Sequence, residues 1–238
     1  DPGREDAFDT QFINWRFHFT EAIIGNLKNL KLGANFLNTF STDPYHLWLE
    51  NGSLVYIDLI CILEVATAES RACSLDGVLQ EKASERLLNK VLPMVVSKKG
   101  VKSIILYKNN VGPSGDKDIY QEVAYASHHN YSYLTAKQQV VFKVMESFVP
   151  ASLILSGNGH VYRHRNGDFI YTLSQRAPHI TERQNLDTRK NRSIINLRNE
   201  PLMNSASGLS RLHLIARDAT RCEYQTWLVD GVTHLVLR

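Results

Sequence analysis

The chain has 238 residues, 43% of them hydrophobic and 21% charged, with a net charge of +3. Those values exclude disordered and fibrous chains and allow one large domain or two small ones. No run of 18 apolar residues occurs, so no transmembrane helix and no membrane partner are expected. Cys61, Cys73 and Cys222 are few and scattered, which argues against a disulfide framework and for an intracellular setting, cytoplasm or nucleus. The chain begins at Asp1, so it is expected to be one part of a larger protein.

Residues 9–38 carry Phe12, Trp15, Phe19, Ile23, Leu27 and Leu30 at spacings of three or four, the period of a helix, and Gly33 is its expected stop. Residues 45–68 alternate around Asn51-Gly52 and predict a β-hairpin with a type I′ turn. Its second arm is apolar on both faces and predicts one long central strand. Residues 76–92 predict an amphipathic helix with Asp76 as cap, a stripe of Leu79, Ala83, Leu87, Leu88 and Val91, and Pro93 as its end. Residues 101–107 predict a short buried strand. Residues 108–134 are polar and predict the longest loop.

Thr135 with Gln138 forms a capping-box pattern ahead of a helix with Val141, Val144, Met145 and Phe148 on one stripe. Beyond 152 the pattern predicts strands: SLILS, then HVYRHR and DFIYTLSQR around Asn166-Gly167, then SIINL, RLHLIAR, YQTWLV and VTHLVLR, the last two around Asp230-Gly231. The fold class expected is α+β (mixed α/β): antiparallel hairpins and a central apolar strand packed by two or three amphipathic helices. The chain reads as a single unit over 1–238, divisible into halves at 1–134 and 135–238.

A two-residue turn at Asn166-Gly167 sets a register in which Arg163 faces Ile170, Tyr162 faces Tyr171 and His164 faces Phe169. The aromatic face of that hairpin is then the buried one.

Charge is uneven. Residues 1–150 carry 15 basic and 17 acidic side chains, and residues 151–238 carry 12 and 7. Eleven of the later twelve bases are arginine, which grips phosphate with a planar fork. Residues 181–198 hold Arg183, Arg189, Lys190, Arg192 and Arg198 against Glu182 and Asp187. A flexible basic stretch beside Arg163, Tyr162 and Tyr171 points to RNA or single-stranded DNA, bound by phosphate contacts and base stacking. The leading expectation is therefore a non-catalytic nucleic-acid-binding module. A protein partner is the alternative. No glycine-rich phosphate loop and no Cys/His ligand set occurs, so no cofactor and no metal are expected.

Asp58 and Glu64 in VYIDLICILEVA are the candidate catalytic acids. The order of helix, strands, acidic strand, helix and strand over residues 10–107 resembles the core of the PD-(D/E)xK nuclease superfamily. That resemblance implies an aspartate and an E-x-K triplet that bind a divalent metal and activate water. Val65 and Ala66 follow Glu64, so the lysine is absent. Six residues of straight strand would also hold Asp58 and Glu64 roughly 20 Å apart. The resemblance implies a degenerate, nuclease-like fold used for binding, with a metal-dependent nuclease as a further alternative.

Overall fold

The structure, a computed structural model, describes residues 18–27, 46–58, 62–71, 73–99, 102–108, 111, 124–164, 166–187, 191–198 and 208–238. The chain forms two compact units, Asp1–Leu106 and Tyr107–Arg238. Helices and antiparallel strands are mixed, and the class is α+β.

The first unit holds helix α1 (residues 18–27), strands β1 (Leu47–Trp48), β2 (Leu54–Asp58) and β3 (Ile62–Ala66), and helix α2 (Ser74–Lys99). The strands form one antiparallel sheet in the order β1-β2-β3. The expected central strand is thus two strands: the chain reverses between Asp58 and Ile62, so Tyr56 faces Glu64 and Val55 faces Val65. Alternate residues point to one side. Val55, Ile57, Leu63 and Val65 turn to the core, where they meet Ile23, Ile24 and Leu27 of α1 and Leu87, Leu88, Val91 and Val95 of α2. Helix α2 runs through Pro93. A proline there removes one backbone donor, but Val91 and Val95, on either side of it, are both fully buried. Their packing outweighs the lost bond. Residues 103–108 form no strand, and Ile105 and Tyr107 are exposed.

The second unit is built on a four-stranded sheet, β4 (Ser127–Leu134), β9 (Leu209–Arg217), β8 (Arg192–Asn196) and β7 (Ile180–Asn185), in that spatial order. Strands β4 and β8 run antiparallel to β9, and β7 runs parallel to β8. Helix α3 (Gln138–Ala151) lays Val141, Phe142, Met145 and Val149 on Tyr131, Tyr133, Ile195, Leu212 and Leu214. It starts at Gln138 without a side-chain cap bond, so the capping box does not form. The segment SLILS is the short helix α4 (Leu153–Ser156), not a strand.

The last two expected strands are one helix, α5 (Glu223–Leu237). Its buried residues Thr226, Val229 and Thr233 recur at three and four positions, a period that the apparent alternation hid. Asp230 is no turn residue. It accepts a hydrogen bond from the Tyr131 hydroxyl (2.9 Å) and lies 3.4 Å from the His129 ring. Arg217, fully buried, reaches the Tyr131 hydroxyl and donates to Thr233 of α5 and Ser152. This polar network ties α5 to β4 and β9.

Strands β5 (His160–Arg163) and β6 (Phe169–Thr172) form a separate hairpin. It is present as expected, but its register is not. Gly167 N donates to His164 O and His164 N to Asp168 O, so the loop has three residues and Gly167, at φ 93°, takes its left-handed position. Arg163 therefore faces Phe169 and Val161 faces Tyr171. The Asn51-Gly52 turn closes in the same way, through Gly52 N to Leu49 O and Leu49 N to Ser53 O. In each, the asparagine side chain accepts the backbone N–H two residues on, from Ser53 and from Asp168. One extra loop residue flips every side chain to the other face. Phe169 and Tyr171 are consequently exposed.

Gly157 meets the hairpin where a β-carbon would collide with the backbone carbonyls of Leu173 and Leu153. Gly157→Ala is expected to lower stability by about 2 kcal/mol or more, measured by urea unfolding. A loss below half of that would contradict the close packing.

Candidate functional site

Two polar surfaces stand out, one in each unit. In the first unit the side of the sheet turned away from α1 and α2 carries Tyr56, Asp58 and Glu64. Tyr56 and Asp58 alternate along β2, and Glu64 pairs with Tyr56 across to β3. Asp58 and Glu64 are thus diagonal neighbours, a spacing of roughly 7 Å between backbones that side chains readily span. The Asp58 carboxyl and the Tyr56 hydroxyl both act on the Glu64 carboxyl. Burial pushes the Glu64 carboxyl above its usual range, and the charge of Asp58 pushes it the same way, while the Tyr56 bond pulls it back in part. A carboxyl held above its usual range beside a second carboxyl is suited to proton transfer. His46, just ahead of β1, sets its ring 5.3 Å from the Tyr56 ring. Among the described residues no group of three or more His, Cys, Asp or Glu side chains is placed to hold a metal ion.

In the second unit the sheet face opposite α3 is basic. By register it carries Asn130, Ser132, Arg211, His213 and Asn196. His213 is 5% exposed, and neither of its ring nitrogens has a hydrogen-bond partner. Burial holds it at about 3, and His128, Arg211 and Arg198 repel a further proton. His128 presents its ring edge-on at 4.9 Å. Burial and the Arg192 and Arg176 charges hold His179 at about 4. Arg176 itself, 2% exposed, is lowered to about 9 by burial and by Arg192, with Asp218 opposing. Positive groups crowd here, and the surface is receptive to an anion.

The residues expected to grip nucleic acid do not gather. Segment 181–198 is no flexible arm: residues 180–185 and 192–196 are the paired strands β7 and β8. Arg183 is exposed at the edge of the sheet, 4.0 Å from Glu146, an ion pair worth little in water. Arg189 and Lys190 lie outside the described residues, as does the side chain of Arg163. Arg192 is half-buried, its guanidinium lowered by burial and supported by Asp187. Arg198 is exposed, and its backbone N–H donates to Asn196. Tyr162 pairs with Ile170 and Tyr171 with Val161, so the two tyrosines point to opposite faces of the hairpin. Tyr162 lies against the His160 ring, and the Tyr171 hydroxyl lies over Gly159. They make no stacking platform.

Asp58 and Glu64, in contrast, come together, because the 20 Å separation assumed an unbroken strand. The linking residues 59–61 are Leu-Ile-Cys, which carry no turn signal. Tyr56, His46 and His213 carry no signal in the sequence that marks them as site residues. The one legible hint was the Tyr-x-Asp alternation at 56 and 58.

The family model of the Pup-ligase protein matches residues 9–238. The Pup–protein ligase of Acidimicrobium ferrooxidans is 33% identical over 200 residues, covering 81% of this chain and 41% of that protein. The Pup deamidase/depupylase of Mycolicibacterium smegmatis is 34% identical over 193 residues, covering 79% and 36%. The chain thus spans about two-fifths of the length of these relatives. Among solved structures, the Pup ligase PafA of the prokaryotic ubiquitin-like modification pathway in complex with ADP aligns with a TM-score of 0.65 at 27% identity, over 84% of this chain and 43% of that one. The complex between the prokaryotic ubiquitin-like protein Pup and its ligase PafA aligns at 0.69 over 92% and 41%, and at 24% identity it speaks for the fold alone.

These matches overturn the nuclease-like resemblance, which covered only residues 10–107, whereas the family model runs over residues 9–238. They overturn the non-catalytic nucleic-acid module and its two alternatives as well, since the relatives are ligases and depupylases. No helix among the described residues is long and apolar enough to cross a membrane. With a family match that runs through both units and a carboxyl pair that only this strand pairing assembles, the chain belongs to the Pup-ligase protein family.

Proposed function

We propose that this chain carries the reacting site of an enzyme that forms or breaks the bond between Pup and a protein. The observation that carries the reading is the strand register that makes Asp58 and Glu64 diagonal neighbours on the outward side of the β1-β2-β3 sheet, with Tyr56 beside them. Deamidation, named for one relative, is chemistry at a carboxamide, and it needs a group that takes a proton and returns it. Glu64, its carboxyl raised by burial, is the acid of the pair, and Asp58 beside it is the group that acts as the base.

The other surface suits an adenine nucleotide, of the kind present in the ADP complex of PafA. His213 is buried with both ring nitrogens unpartnered, so it can meet a bound group. Arg211, Arg198 and Arg192 supply the charge that phosphate oxygens seek. These residues fit the group. A bound nucleotide would supply phosphoryl chemistry to activate a carboxylate, and the arginines would orient it and balance its charge. Pup and the protein joined to it are the partners this reading implies.

The test uses the protein that carries this chain, with Pup, ATP and an acceptor protein in one arm and a ready-made Pup conjugate in the other. Conjugate formation or release is expected in one arm. Asp58→Asn is expected to cut the rate about 10²–10⁴-fold, the usual worth of a positioned base, with the fold kept. Neither reaction in either arm, or full activity in the folded Asp58→Asn variant, would sink the reading. The active arm separates a ligase from a depupylase, relatives of both kinds matching at similar identity.

A further inference from the structure

Register sets three side chains in one row across the first sheet. Glu64 faces Tyr56 across β2 and β3. Leu47 faces Val55, so His46, one residue earlier, comes level with Tyr56. The two rings lie 5.3 Å apart at 46°. Rings at this range prefer a limited set of tilts. A phenol turns about two torsions, and its hydroxyl meets Glu64 only when the ring is held at the right tilt. On the β1 side, His46 is the ring that sets it.

We propose that His46 is a positioning residue: its ring holds Tyr56 so that the phenol reaches Glu64, and Glu64 in turn holds Asp58. The proposal rests on the reading of Asp58 and Glu64 as the reacting site. His46 acts through its flat face rather than its charge. An aromatic substitute therefore serves, and an aliphatic one of similar bulk does not. Trp48 shares this side of the sheet, because it faces Leu54, which alternates with Tyr56. It lies one row further from Glu64 and cannot replace His46.

Two measurements test this. In the protein that carries this chain, His46→Ala is expected to lower kcat for Pup conjugation or release about tenfold, a loss of orientation rather than of the base. KM for Pup stays unchanged, and His46→Phe restores most of the rate. In the 238-residue chain, nuclear Overhauser contacts between the Tyr56 ring and the Glu64 side chain are expected in the wild type and in His46→Phe, and are expected to weaken in His46→Ala. Where the alanine variant fails to fold, His46→Leu takes its place, with the same loss expected. Contacts that persist in the alanine or leucine variant overturn the proposal, and so does a phenylalanine variant as impaired as alanine. If the contacts behave as expected while the wild type neither forms nor releases Pup conjugates, the reading of the reaction fails and the positioning of Tyr56 by His46 stands.

Discussion

Replacing Asp218 by alanine is expected to lower the stability of the chain by about 4 kcal/mol or more. Asp218 is fully buried at the end of β9. Its Oδ1 accepts hydrogen bonds from the Ser174 hydroxyl (2.7 Å) and the Arg176 N–H (3.0 Å). Its Oδ2 accepts from the N–H groups of Asn158 (2.8 Å) and Gln175 (3.0 Å). One carboxylate thus closes two loops, the one after α4 and the one after β6. It also opposes the buried charge of Arg176, whose own donors go to the carbonyls of Ala124 and Ile215. Alanine leaves two buried donors, the Ser174 hydroxyl and the Arg176 N–H, and two half-buried ones, the N–H groups of Asn158 and Gln175, without this acceptor, and it removes the charge that opposes the Arg176 guanidinium. Each unpaired buried donor costs about 1–3 kcal/mol. Asp218→Asn keeps one acceptor oxygen and is expected to fall between the wild type and alanine. The urea midpoint of the 238-residue chain gives the answer. A loss under about 1 kcal/mol in Asp218→Ala would show that these bonds are replaced by water at no cost, against the burial of the site.

Mild acid is expected to destabilise the second unit well before carboxylates titrate. His213 and His179 stay neutral in the fold down to about 3 and about 4, against an ordinary 6.5. Above 6.5 both folded and unfolded chains carry neutral rings, and the full stability is present. As pH falls from 6.5, the unfolded chain binds protons that the folded one refuses, and stability is lost until the folded values are reached. His213 is nearly fully buried and is worth on the order of 3 kcal/mol over that window. His179 is half-exposed, and solvent screening leaves it less. Asp230, lowered on balance by His129, Tyr131 and Arg217 despite its burial, adds a loss only once pH falls below the ordinary 3.8. Glu64 works the other way in the first unit: its raised carboxyl is costly when charged, so protonation relieves it. His213→Gln, uncharged at every pH, is expected to flatten the slope between pH 6.5 and about 4. A wild-type stability that stays level across that range would contradict the buried, neutral rings.

The unexpected helix and the hairpin registers share one cause. A local signal marks where the chain turns and does not fix the geometry of the turn. Asn51-Gly52 and Asn166-Gly167 do mark reversals, but each asparagine caps a backbone N–H of its own loop, and the reversal takes three residues. Thr-Trp-Leu-Val-Asp-Gly-Val alternates on paper. In the fold its Thr226, Val229 and Thr233 line one side of a helix, because Asp230 finds the Tyr131 hydroxyl 99 residues away.

Composition and periodicity by themselves determined the α+β class, the hairpins at Asn51-Gly52 and Asn166-Gly167, strands β8 and β9, helix α3 within a few residues, and the existence of α2 though not its end. Those features depend on neighbours in sequence, and the period of apolar side chains reports them directly. The site did not follow in the same way. Tyr56, Asp58 and Glu64 form a group only because the chain reverses after Asp58, a reversal driven by burial of Val55, Ile57, Leu63 and Val65 on the other side of the strands. The arginine-rich segment went astray for the converse reason. Its charges are conspicuous in a row of letters, yet strand pairing turns them to different sides and leaves Arg183 in water. Which polar groups meet is decided by register, and register is set by the apolar face that the tertiary structure buries.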